Sequence, residues 1–294
     1  MKATNPSLPQ ESHQFHKTRS MRKRELKNFG NLLLNIPLLL IILVPLIYTV
    51  SISLVNTDEV YKTLLFPHSI QFGNYVNAFT NPSYSFLRYI GNSFIVSTSV
   101  MLCQMVTASM AAFAFVFLEF KGRKLLFLAV LATMMVPGES TIIANYLTVA
   151  RWGWTNSLHV LIIPYMTSAM GIFLLRQSYM TFPKELKEAA TIDGCGNWRF
   201  LLTIALPLSR PALGALGAYV FLNTWNQYMW PLLTTDSDAY RTVQVGISML
   251  YDIDAQSMGL MMAGVVIVIV PSLSIFVFMN KQLINGLMAG AVKG

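Results

Sequence analysis

Six apolar stretches dominate this chain, each long enough to cross a bilayer: Leu32–Val55, Asn92–Leu118, Leu125–Leu147, Ser157–Tyr179, Pro211–Leu233 and Met258–Asn280. Spanning about 30 Å of hydrocarbon takes about 20 apolar residues in a helix. The bilayer core offers no partners for backbone N–H and C=O groups, so each stretch must satisfy its own hydrogen bonds as a helix. The pattern therefore predicts an all-α, polytopic membrane protein of six transmembrane helices. Composition agrees: 54% of the 294 residues are hydrophobic and 12% charged, against about 25% charged in soluble domains.

Charge placement orients the chain. The formal charge is +8, and of 21 Lys and Arg only Lys62, Arg88, Arg151 and Arg241 fall on one side, leaving 17 on the other. That asymmetry is the positive-inside pattern, which puts both termini in the cytoplasm and argues against nucleic acid as the partner of the excess charge. Residues 1–28 read as a basic cytoplasmic tail facing anionic lipid, and residues 29–294 as the membrane domain. The first apolar run is too long for the 7 to 15 residue core of a cleaved signal peptide. Cys103 and Cys195 lie in different environments and form no disulfide framework.

Residues 184–207, KELKEAATIDGCGNWRFLLTIALP, interrupt the apolar pattern. Pro183 suits a helix start, and Glu185 to Ala190 are mostly good helix formers. Asp193-Gly194 breaks that helix, because Gly adopts a positive φ without cost. Trp198, Phe200, Leu201 and Leu202 then open a second helix that stops near Pro207. The expected product is a short helix, a sharp turn and a return into the membrane.

Within this segment Glu188-Ala189-Ala190, then Gly194, Ile204 and Leu206-Pro207 stand at the spacing of the EAA loop. The chain thereby resembles the permease subunits of binding-protein-dependent ABC importers, with the coupling loop at 181–207. FGNYVNAF, FLRYIGNSF, AAFAFVFLEFKGRK, TWNQYMWPLL and the tail GLMAGAVKG are similar to the maltose/sugar type, while Gln227-Tyr228 and Arg241-Thr242-Val243-Gln244 lean toward the glycerol-3-phosphate branch. The resemblance implies a type I importer permease fold in a bacterial or archaeal plasma membrane. It also implies a second permease subunit as heterodimer partner, two ATPase subunits that bind ATP and Mg, and an extracytoplasmic solute-binding protein. Glu188, Ala189, Ala190, Asp193 and Gly194 would couple to the ATPase.

Away from that loop, two groups of polar residues sit inside apolar stretches. Glu139 follows Pro137-Gly138 in the middle of the third; a carboxylate there is costly and marks a functional or water-facing position. Either Glu139, Thr141 and Asn145 line a hydrated path, or Glu139 is paired with a polar group on a neighbouring helix. In the fifth stretch Asn223, Asn226, Gln227 and Trp230 would share one face of a continuous helix, with Tyr228 beside them. Amides that both donate and accept suit a neutral polyhydroxylated ligand; amide-mediated helix association with an interfacial Trp is the alternative. Arg176 near a cytoplasmic end is expected to snorkel.

Small residues at Ala108, Ala111, Ala112 and Ala114, and at Ala212, Gly214, Ala215, Gly217 and Ala218, predict closely packed helix faces, the second set against a neighbouring helix or a partner subunit. Phe72, Tyr75, Val76 and Phe79 predict a short interfacial helix, and residues 234–257 an acidic external loop. No phosphate-binding loop, metal-spaced cluster or nucleophile elbow appears, so no catalytic residue is assigned and the energy source must be another chain. An ion-coupled secondary transporter would be expected to carry intramembrane charge relays and often internal repeats; only Glu139 sits mid-span.

Overall fold

The computed structural model describes residues 35–37, 39–56, 59–60, 65–81, 85–253 and 258–288. The basic tail, both termini and the last residues of GLMAGAVKG lie outside them. Every regular element among the described residues is helical. Three helices are individually long and apolar enough to cross a membrane: α1 (Asn35–Ser53), α3 (Phe86–Phe117) and the Met258–Phe278 part of the last helix. Three more candidates are bent pairs: α4 (Arg123–Thr133) with α5 (Gly138–Arg151) at 92°, α6 (Leu158–Ile162, extended to Tyr165) with α7 (Ala169–Met180) at 43°, and α9 (Asn197–Leu208) with α10 (Arg210–Trp225) at 79°. Length and composition thus allow up to six spans if each pair is one.

Each bend has a local cause. Pro137 is extended at the start of α5, and a proline biases the residue before it away from the helical region. Pro164 sits in the 3₁₀ turn Ile163–Tyr165, after which Ser168 caps α7 by accepting from the Gly171 N–H. Ser209 leaves helical geometry just before Arg210-Pro211. In α9 the turn Leu201–Ala205 widens to π geometry immediately before Pro207, whose nitrogen has no proton to give back to the helix.

The core is built on α3. Its Ala108 and Ala112 are buried, and Ala108 faces Gly171 of α7. Near the end of α3 Phe113 and Phe117 cluster with Phe200, and Phe117 also meets Tyr179. The small face of α10, with Ala212, Ala215, Gly217 and Ala218 buried, packs inside the chain against α3 and the final helix α13 (Met258–Met288). That face is therefore consumed here and not left for another subunit. Trp225 closes the same contact, its Nε1 donating to the Val268 carbonyl at 3.3 Å.

On the other side of the bundle α2 (Gly73–Thr80) is the short helix the aromatic spacing predicts; Asn74 Nδ2 bonds the Ser53 and Val55 carbonyls and ties α2 to the end of α1. Residues 234–253, the described part of the expected external loop, are not all loop. A turn at 235–242 leads into an 11-residue helix, α12 (Val243–Ile253). The turn is fastened to α3: Tyr89 Oη donates to Asp238 Oδ1 at 2.8 Å, Asn92 Nδ2 to the Ala239 and Arg241 carbonyls, and the Val243 N–H donates to Ser93 Oγ. Asn156, at φ +56°, accepts from the Asp236 and Ser237 N–H groups on the opposite flank. Burial of these polar groups on α3 is thus matched by satisfied backbone groups of the turn.

Candidate functional site

The polar segment forms a helix, a four-residue turn and a second helix. The first, α8 (Lys184–Ile192), starts after Pro183 and ends where the Asp193 N–H bonds the Ala189 carbonyl. Gly194 then takes φ +73°, a conformation that costs other residues about 1–2 kcal/mol, and the Cys195 N–H returns to the Ala190 carbonyl at 2.8 Å. Lys187 staples the two helices, with its Nζ 2.8 Å from Asn197 Oδ1 and 4.6 Å from the Phe200 ring centroid.

The unit has an inner and an outer face. Ala190 is buried in the main core with Phe200 and Leu201, so its small size serves packing inside this chain. Glu188, Ala189 and Asp193 are exposed, and Ile192 next to Asp193 stands 87% exposed; Trp198, 65% exposed, instead lines a cavity with Met110, Phe113 and Ala114 of α3.

A second feature lies where the α4–α5 and α6–α7 bends meet the far end of α10. Gly138 at the start of α5, Tyr165 and Ser168 at the α6–α7 break, and Tyr219, Asn223, Thr224 and Gln227 at the end of α10 line one cavity of about 510 Å³ with Gln104 of α3. The α6–α7 break frees carbonyls that α3 then satisfies: Gln104 Nε2 donates to the Tyr165 carbonyl at 2.8 Å and Thr107 Oγ1 to the Met166 carbonyl at 2.9 Å. The Tyr165 hydroxyl lies beside the Gln227 amide. The wall sets amides, hydroxyls and aromatic rings among apolar surface that includes Met170 and Val220, with no charged side chain among its lining residues.

A helical bundle with an outward-facing polar hairpin and a polar cavity at broken helices can now be compared with known proteins. Residues 104–282 match the profile of the family described as binding-protein-dependent transport system inner membrane component. The chain belongs to this family. The permease is 33% identical over 277 residues to the trehalose/maltose transport system permease protein of Thermococcus litoralis, covering 93% of this chain and all of that one. It is 31% identical to the arabinooligosaccharide transport system permease of Halalkalibacterium halodurans (85% of this chain, 91% of the relative) and 31% identical to the sn-glycerol-3-phosphate transport system permease of Rhizobium meliloti (91% and 98%). In fold it is similar to a chain of a bacterial ABC transporter involved in alginate import, with a TM-score of 0.75 at 20% identity, covering 94% of the permease and 99% of that chain.

The structure distributes the residues singled out in the sequence unevenly. Asn223 and Gln227 meet at the cavity. Asn226 ends α10, its Nδ2 on the Leu222 carbonyl and its Oδ1 accepting from Gln244 Nε2 at 3.2 Å. The helix expected to continue through 233 stops at Trp225 and resumes as α11 (Met229–Thr234). Trp230 consequently leaves the amide face: it is buried, with Nε1 donating to the Val160 carbonyl at 3.0 Å. Tyr228 lines a different cavity.

Glu139 and Asn145 are exposed on α5, so Glu139 is not the buried member of a pair within this chain. Arg176 is half-buried, and its guanidinium stacks 4.0 Å from the Phe127 ring centroid. Gln104, Tyr165 and Ser168 were not singled out by sequence pattern. The signal available was Pro164, because a break at a proline leaves carbonyls that a polar residue on a neighbouring helix must meet.

Proposed function

We propose that this permease is one of two membrane subunits of an ATP-driven importer for a carbohydrate, with six spans and both termini in the cytoplasm of a bacterial or archaeal inner membrane. An extracytoplasmic binding protein delivers the ligand, and two ATPase subunits supply ATP and Mg chemistry. The observation that carries the reading is the α8–turn–α9 unit: its inner face is locked into the core by Ala190, Phe200 and Leu201, and its outer face presents Glu188, Ala189 and Ile192.

A push on the outer face is transmitted because the unit is stapled and packed, and α9 joins α10 through a 79° bend. Moving α9 therefore moves α10, which holds Asn223 and leads into Gln227. Closure of the ATPases would in this way alter the cavity at the broken helices, a two-state rearrangement of the alternating-access kind. Glu188 offers a carboxylate to a basic ATPase residue, and Ala189 leaves room for the helix to seat. The uncharged lining and the sugar-named relatives support a carbohydrate over an ion-coupled solute. The relatives named for sn-glycerol-3-phosphate favour a second ligand reading, a small phosphorylated polyol.

Gly194→Pro tests the hinge, since proline cannot reach φ +73°, and Glu188→Lys tests the docking charge. Both are expected to abolish ATP-driven uptake while the chain still inserts and associates with its partner permease. Uptake near wild type in either variant would remove the assigned role.

A further inference from the structure

The break between α10 and α11 separates two cavities. Gln227 lines the cavity described above, whereas the next residue, Tyr228, lines another of about 590 Å³ bounded by α11, the 235–242 turn, α12 and α13. Both volumes fall in the range of about 300–1,000 Å³ found for small-molecule sites. The Gln244–Asn226 hydrogen bond ties the break to α12, so the partition between the cavities is the backbone at 226–228.

The lining of the second cavity has its own chemistry. Tyr228 is 39% exposed and offers a ring face. Asp236, Arg241 and Ser248 place a carboxylate, a guanidinium and a hydroxyl around the same space. The Arg241 charge is already met by Asp238, so the pocket does not demand an anion. The Asp236 backbone is fixed by Asn156, whose Oδ1 accepts from its N–H. Planar groups with several donors and acceptors match adjacent sugar hydroxyls, and an aromatic face covers the C–H surface of a pyranose.

We propose that this chain carries two successive saccharide subsites, an inner one at Asn223 and Gln227 and an outer one at Tyr228, Asp236 and Arg241, and that successive units of one neutral oligosaccharide occupy both. This rests on the carbohydrate-importer reading. A disaccharide fills the inner subsite; longer chains gain contacts at Tyr228. The partition at 226–228 then acts as the step over which the chain passes from one subsite to the next.

The test uses the detergent-purified whole transporter without its binding protein, titrated by equilibrium dialysis with tritiated neutral gluco-oligosaccharides of two and four units. Wild type is expected to bind the tetrasaccharide more tightly. Tyr228→Ala should weaken tetrasaccharide binding about three- to tenfold, the worth of an aromatic contact, and leave the disaccharide unchanged; Tyr228→Phe should restore the difference. Equal weakening of both ligands, no effect of Tyr228→Ala, or no length dependence in wild type overturns the proposal. Failure of the importer reading itself shows separately, as ATP hydrolysis by the same preparation that no loaded binding protein stimulates.

Discussion

Gly246 of α12 faces the ring of Tyr89, and Gly246→Ala tests how tightly the 235–242 turn is held. A Cβ there would sit 2.4 Å from Tyr89 Cδ2, 3.1 Å from Cε2 and 3.3 Å from Cγ. The ring cannot swing away cheaply: Tyr89 is fully buried and its hydroxyl is anchored on Asp238. Overpacking a tight site costs about 1–3 kcal/mol, and contacts this short put the cost near the top. Replacing Gly by Ala in a helix returns about 1 kcal/mol, while displacing the ring also weakens a hydrogen bond to a charged acceptor worth about 1.5–3 kcal/mol. The net expectation is a loss of about 2 kcal/mol or more.

Two measurements check that value. Thermal unfolding in detergent should show a lowered midpoint, and amide exchange should accelerate in residues 235–242 before it does in α3. Introducing Gly246→Ala into a Tyr89→Leu background should cost far less, because the clashing ring is absent. A variant as stable as wild type, or one that loses stability equally in both backgrounds, would refute the packing argument.

Gln104→Leu removes the donor to the Tyr165 carbonyl and strands a part-buried acceptor, at about 1–3 kcal/mol; uptake should fall and unfolding come earlier, while Gln104→Glu should be still worse because it sets a desolvated carboxylate charge against the carbonyl oxygen. Asn226→Ala breaks the contact to Gln244 and Gln227→Ala opens the cavity wall, and both should slow transport without loss of ATPase association. Normal uptake kinetics in both would return these amides to a purely structural role.

The bends and the coupling hairpin are legible in the sequence because local chemistry sets them. Pro137, Pro164 and Pro211 mark three breaks, and Asp193-Gly194 marks the hairpin, whose Gly194 takes the positive φ that the residue type predicts. The amphipathic helix at Phe72–Phe79 follows its spacing as well. What escaped is set by partners distant in the chain. Nothing local distinguishes Trp225-Asn226-Gln227 from a continuing helix, yet Trp225 is held by Val268 and Trp230 by Val160, and the two indoles pull the segment apart between them. α12 is concealed by acidic neighbours at 236, 238, 252 and 254; its buried Val243 and Leu250 find their apolar partners on helices distant in the chain, among them α3, α10 and α13. The small residues of α10 predicted close packing correctly, but periodicity alone does not say which helix supplies the other face.

The role proposed for the polar hairpin of this permease is to receive work from ATP hydrolysed on another chain. It is tested most directly by purifying the tagged protein from its native membrane and assaying ATP hydrolysis with and without a co-isolated binding protein loaded with candidate sugars, polyols and glycerol phosphates. Recovery of a second permease and an ATPase, with hydrolysis raised by one loaded ligand, is the predicted result. Recovery of this chain alone, with uptake driven by an ion gradient and indifferent to ATP, would contradict it.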